Sequence, residues 1–165
     1  EKAVAASPDD VATLNLVAED YANRGKNLEK ATEYAKKVLE LAPSMERPAN
    51  ITEESWEGVK SAQLGMAHET LGYIQFREGL PRKRFAPAVA EFKTAIELLA
   101  RDPFRQARAR FRLGYTYAAM PATSGLKQAE SVLQELAATS SPWQAPAQDI
   151  LTKVKTELKK RAAAR

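Results

Sequence analysis

Residues 68–75 read His-Glu-Thr-Leu-Gly-Tyr-Ile-Gln, and residues 110–117 read Arg-Phe-Arg-Leu-Gly-Tyr-Thr-Tyr. The pair Leu71-Gly72 thus returns as Leu113-Gly114, 42 residues on. Behind each copy come a small residue, a large one four positions later and a proline: Ala88, Phe92 and Pro103, then Ala129, Leu133 and Pro142. A weaker, earlier copy runs through Val17-Ala18, Tyr21, Ala31, Tyr34 and Pro43. Self-similarity at this period is the signature of stacked supersecondary units that bury their apolar faces against one another.

Working outward from these copies, apolar residues recur at steps of three and four. Leu14, Val17, Ala18 and Tyr21 make one stripe; Ala31, Ala35, Val38 and Leu39 make another. Phe85, Val89, Phe92, Ile96 and Leu99 follow the same rule, as do Ala147, Ile150, Leu151, Val154 and Leu158. This is the period of a helix with one buried face, and the two-residue alternation of strands is absent. Ser7-Pro8, Asp102-Pro103 and Ser141-Pro142 each set a capping oxygen before a residue of fixed φ, and Asn27 and Thr52 offer further caps. The spacing predicts seven helices, over about 9–24, 28–42, 52–78, 84–100, 103–119, 126–138 and 144–161, with Thr52 to Ser61 as a separable lead-in to the third.

With 165 residues, 44% of them hydrophobic, the chain suits one domain with a sizeable core. It has no cysteine, which removes disulfides and thiolate chemistry. Lys and Arg number 25 against 21 Asp and Glu, a net charge of +4 with both signs interspersed. That balance fits a mildly basic surface and an acidic partner, and does not by itself point to nucleic acid. No apolar run approaches the roughly 18 residues of a membrane span. The first residue is Glu1, without an initiator Met, signal-peptide or transit pattern, which reads as the start of a processed or trimmed chain.

The recurring residues resemble the tetratricopeptide repeat family, whose pattern is Trp-x-x-Leu-Gly-x-x-Tyr, then Ala-x-x-x-Phe, then Pro. Here His68, Leu71, Gly72, Gln75, Ala88, Phe92 and Pro103 fill one copy. Arg110, Leu113, Gly114, Tyr117, Ala129, Leu133 and Pro142 fill the next. The resemblance implies an all-α, right-handed α-α superhelix of about three helix pairs plus a C-terminal capping helix. Repeat 1 would span about 9–43, a linker and lead-in 44–61, repeat 2 62–103, repeat 3 104–142 and the cap 143–161. Gly72 and Gly114 would sit where paired helices cross closely, with Ala88 and Ala129 as the small partners. The turns at Leu80 to Arg84 and Pro121 to Gly125 are longer than the family's. The sequence is similar to a bacterial variety of these repeats found often in exported proteins, which implies an exported or periplasmic location.

The residues that carry chemistry elsewhere are sparse. His68 is the only histidine, and the position four residues on is Gly72, so no His-Glu-x-x-His zinc site forms; packing in the family's Trp position explains it. Asp9-Asp10 and Glu53-Glu54 lie in first helical turns, where the helix dipole favours negative charge. Phosphate loops and nucleophile elbows are absent. The inventory points away from an enzyme, a metal and a cofactor.

In the repeat register the groove-facing positions are Asn15, Glu19 and Asn23, then Met66, Glu69, Tyr73 and Arg77, then Arg108, Phe111, Arg112 and Tyr115. Arg108 and Arg112 would offer two guanidinium forks beside two aromatic faces, suited to an acidic or carboxylate-ended segment. An ordinary solvated basic face is the other reading of the same arginines. The carboxylate clamp of some tetratricopeptide co-chaperones is half present: Asn15, Glu19 and Thr70 replace its other residues, so that activity is not expected. The expected function is a non-catalytic scaffold for a protein or peptide partner, with nucleic-acid binding or self-association as alternatives. Arg82-Lys83-Arg84 and the C-terminal lysines read as solvated charge.

Overall fold

The computed structural model describes residues 2–164, and among them it is all-helical, with no strand. The helices are α1 (Lys2–Ala6), α2 (Val11–Arg24), α3 (Leu28–Leu41), α4 (Glu53–Gly79), α5 (Ala86–Leu98), α6 (Pro103–Ala118), α7 (Thr123–Ala137) and α8 (Gln144–Ala163). Each packs against the next in sequence, and α2 with α4, α4 with α6 and α6 with α8 also touch across the intervening helix. The core is accordingly extended. Leu14, Ala18, Val38, Ala67 and Leu71 bury one part between α2, α3 and α4. Phe76, Phe92, Leu113, Leu133, Leu136 and Leu151 bury another from α4 to α8.

The seven expected helices all form, and the differences lie at their ends. The short α1 precedes them, its Val4 packed on the α2–α3 cluster. Asp10, not Ser7, caps α2: its Oδ2 accepts from the Thr13 N–H at 2.8 Å, and Pro8 stays in the turn outside the helix. The apolar stripe begins at Val11, so the last oxygen before it takes the cap. Asp102 caps α6 as expected, accepting from the Arg105 N–H at 3.0 Å with Pro103 in first place. The side-chain and then the backbone hydrogen bond from Thr13 hold the Asp10 carboxyl below its usual range; at Asp102 burial opposes the shift, and the backbone and side-chain bonds and charge of Arg105 outweigh it. Asn27 stands before α3 in the left-handed region and makes no side-chain cap.

Two larger differences concern α4 and α8. The lead-in is not separate, because α4 runs unbroken for 27 residues. Its front half is held by long-range bonds: Trp56 Nε1 donates to the Met45 carbonyl at 3.1 Å, Ser61 Oγ to that of Leu98 at 2.7 Å, and Arg101 pairs with Glu54 at 3.0 Å. Ser141-Pro142 does not open α8, which begins two residues later at Gln144. Trp143 takes the position before it, its ring stacked on Phe111 at 5.2 Å between centroids.

The repeated glycines make the same contact twice. A Cβ on Gly72 would lie 2.9 Å from the Phe92 ring, and one on Gly114 would lie 2.6 Å from Leu133 Cδ2. The close partners are therefore the large residues rather than Ala88 and Ala129, which are themselves fully buried. Gly58, in the same helix as Gly72, meets only Arg101 at 3.5 Å. Gly114→Val is expected to cost about 1–3 kcal/mol by overpacking. Gly58→Ala is expected to add about 0.5–1 kcal/mol through helix propensity alone. Urea unfolding followed by circular dichroism measures both, and equal effects would contradict the crossing geometry.

Candidate functional site

Alternate helices α2, α4 and α6 bring most of the expected groove residues together, but not as open forks. Glu69 on α4 has a side chain with 0% exposure, and Arg108 on α6 grips it bidentately, Nε to Oε1 and Nη2 to Oε2, both at 2.7 Å. Arg108 also pairs with Glu19 of α2. Arg112, one turn on, lies 3.2 Å from the same Glu69, donates to Asn23 Oδ1 of α2 at 2.9 Å and sits 4.3 Å over the Tyr73 ring. Two carboxylates and two guanidiniums thus balance, tying three helices with few donors left outward.

The electrostatics follow from burial. Burial lowers the Arg108 pKa, and the hydrogen bonds and charge of Glu69, then those of Glu19, outweigh it, so the guanidinium is held protonated more firmly than usual. At Arg112 burial wins: the pull of Glu69 is opposed by the like charge of Arg108, and the pKa falls. Glu69 without its partners would be an uncompensated buried charge.

Other expected groove residues go elsewhere. Asn15 is buried and donates to Gln63, to Oε1 at 2.7 Å and to the carbonyl at 3.0 Å. Met66 turns inward, packed with Ala95, Leu99 and Ala109 between α4, α5 and α6. His68 is part-buried with its Nδ1 2.6 Å from Oε2 of Glu91, a link between α4 and α5.

The open part of the site lies beyond the ion pairs, towards α8. A cleft of about 600 Å³ is floored by Phe76, Phe92 and Thr116, walled by Tyr73, Phe111 and Trp143, and rimmed by Leu80, Tyr115 and Arg77. Phe76 and Tyr115 meet edge-on at 5.6 Å, and Phe111 stacks between Tyr115 at 6.4 Å and Trp143 at 5.2 Å. Tyr115 and Leu80 remain 43% and 45% exposed, so the apolar lining reaches the surface. Tyr73, Arg77, Phe111 and Tyr115 were legible as groove positions. Phe76, Leu80 and Trp143 were missed; an aromatic beside Ser141-Pro142 was the available signal for Trp143.

No helix of the described residues is long and apolar enough to cross a membrane. No family model, no curated protein and no solved structure matches this chain, so only its own residues and their contacts bear on its family and function.

The ion pairs generate a stability prediction. Glu69→Leu leaves two buried guanidiniums side by side with only Glu19 between them, and is expected to cost about 3–5 kcal/mol. Adding Arg108→Met removes the surplus charge and should recover most of that loss. Denaturant unfolding of the two variants is the check; a single-variant loss under about 1 kcal/mol would make the pair an ordinary surface contact.

Proposed function

We propose that the chain is a tetratricopeptide-like right-handed solenoid that acts as a non-catalytic scaffold for a partner polypeptide. Its helix pairs would be α2–α3, α4–α5 and α6–α7, with α8 as the cap. Two things support the architecture: the duplicate contacts Gly72–Phe92 and Gly114–Leu133, and the touching of alternate helices across each pair. The observation that carries the function is the aromatic cleft at Tyr73, Phe111, Tyr115 and Trp143, open at the surface between α4, α6 and the start of α8. Exposed aromatic walls over an apolar floor are what an anchoring side chain of a partner needs.

Nucleic-acid binding is the weaker reading. The arginines on α6 and in the turn before it are matched by acids: Arg101 by Glu54, Arg105 by Asp102, Arg108 by Glu19 and Glu69. Phosphate binding needs cations free to exchange their counterions.

Panning a displayed random-peptide library on the folded protein tests the scaffold reading. Enriched peptides are expected to share a large apolar side chain and to bind in the micromolar range. Tyr115→Ser should weaken them about tenfold while unfolding within about 1 kcal/mol of the parent chain, since the ring is half exposed. Failure to enrich any sequence, or full retention by Tyr115→Ser, would reject the cleft as the binding site.

A further inference from the structure

Resting on the scaffold reading, we infer that the cleft takes an acidic protein segment, one that carries a large apolar side chain with a carboxylate next to it, and that Arg77 is the residue that selects the acid. The lining of the cleft contains two guanidiniums, those of Arg77 and Arg112, and no carboxylate. Arg112 is already answered by Glu69, Asn23 and the Tyr73 ring. Arg77 is not. Its only hydrogen bond among the described residues is a long one, from Nη1 to the Ala22 carbonyl at 3.4 Å, and its Cζ lies 5.8 Å from the Tyr73 centroid. No carboxylate of the described residues pairs with it, unlike Arg101, Arg105 and Arg108 on the neighbouring helix and turn.

A guanidinium has five N–H donors in a planar fork that fits a carboxylate edge. The Arg77 fork lies against Gly25 and Ala22 at the end of α2, its donors meet no carboxylate of the described residues, and the Tyr73 ring beside it steadies its plane. The same side chain borders an apolar floor of Phe76 and Phe92. Cation and apolar floor are thus presented together, and the complementary ligand has anion and apolar group together. The ion pairs at Glu69 close the middle of α2, so the segment would lie across α4, α6 and the Trp143 turn and meet α2 only at its end, beside Arg77.

The test is fluorescence anisotropy with three labelled peptides that share a central Leu-Phe pair. One is flanked by Asp and Glu, one by Asn and Gln, and one by Lys. The acidic peptide is expected to bind about tenfold tighter than the amide peptide, and the lysine peptide weakest. Arg77→Gln should bring the acidic-to-amide ratio close to one. Arg77→Lys should keep an intermediate ratio, and Arg82→Gln, an exposed charge outside the cleft, should leave the ratio intact. Equal binding of the acidic and amide peptides, or an undiminished ratio in Arg77→Gln, overturns this inference alone. Binding of none of the three overturns the scaffold reading with it. Displacement of the acidic peptide by an oligonucleotide or by excess unlabelled protein, lost in Tyr115→Ser, would assign the cleft to those occupants instead and also overturn the inference.

Discussion

The carboxylate of Glu69 is shut away from water, and a shut-in charge must find its opposite. It finds Arg108, which sits on the next-but-one helix of the chain, and Arg112 beside it. Those arginines reach on to Glu19 and Asn23. One buried anion therefore fixes the register of three helices that are not consecutive in sequence. Apolar packing between consecutive helices is non-directional and would tolerate small slides; a bidentate carboxylate–guanidinium pair tolerates almost none.

The site inherits its shape from that constraint. With α2 drawn to α6 over α4, one side of the row of alternate helices is filled by matched charges. The aromatic side chains on the other side then face a cleft, not a neighbour. The glycine contacts act between consecutive helices instead. Gly72 under Phe92 and Gly114 under Leu133 bring α4 close to α5 and α6 close to α7, so α5 and α7 back the helices that present the cleft. Phe92 serves both roles, filling the space over Gly72 and flooring the cleft.

Much of this was legible in the sequence. The three- and four-residue stripes located the helices, the Leu-Gly copies marked the close crossings, and the repeat register placed Tyr73, Arg77, Phe111 and Tyr115 on one face. What it did not reveal were choices between equivalent local options. Ser7 and Asp10 both offer a capping oxygen, and only the start of the buried stripe at Val11 decides between them. Met66 and Glu69 are three residues apart on one helix, and which neighbour each faces depends on helices contributed from elsewhere. The pairing of Arg108 was hidden for a related reason: Glu69 and Glu19 lie 39 and 89 residues away. Those arginines looked like open forks because the acids that fill them are visible only once α2, α4 and α6 stand together. Trp143 was masked by a Ser-Pro pair that imitates a helix start.

The most direct measurement of the central claim is the rate at which the Arg108 Nε–H proton exchanges with water, read from a nitrogen-edited proton spectrum. If its Nε is bonded to a buried Glu69, the proton should exchange far more slowly than that of an exposed arginine such as Arg82, and should remain protected when a peptide occupies the cleft. Exchange as fast as that of Arg82 would mean that the carboxylate does not hold the helices together, and the account would fail at its base.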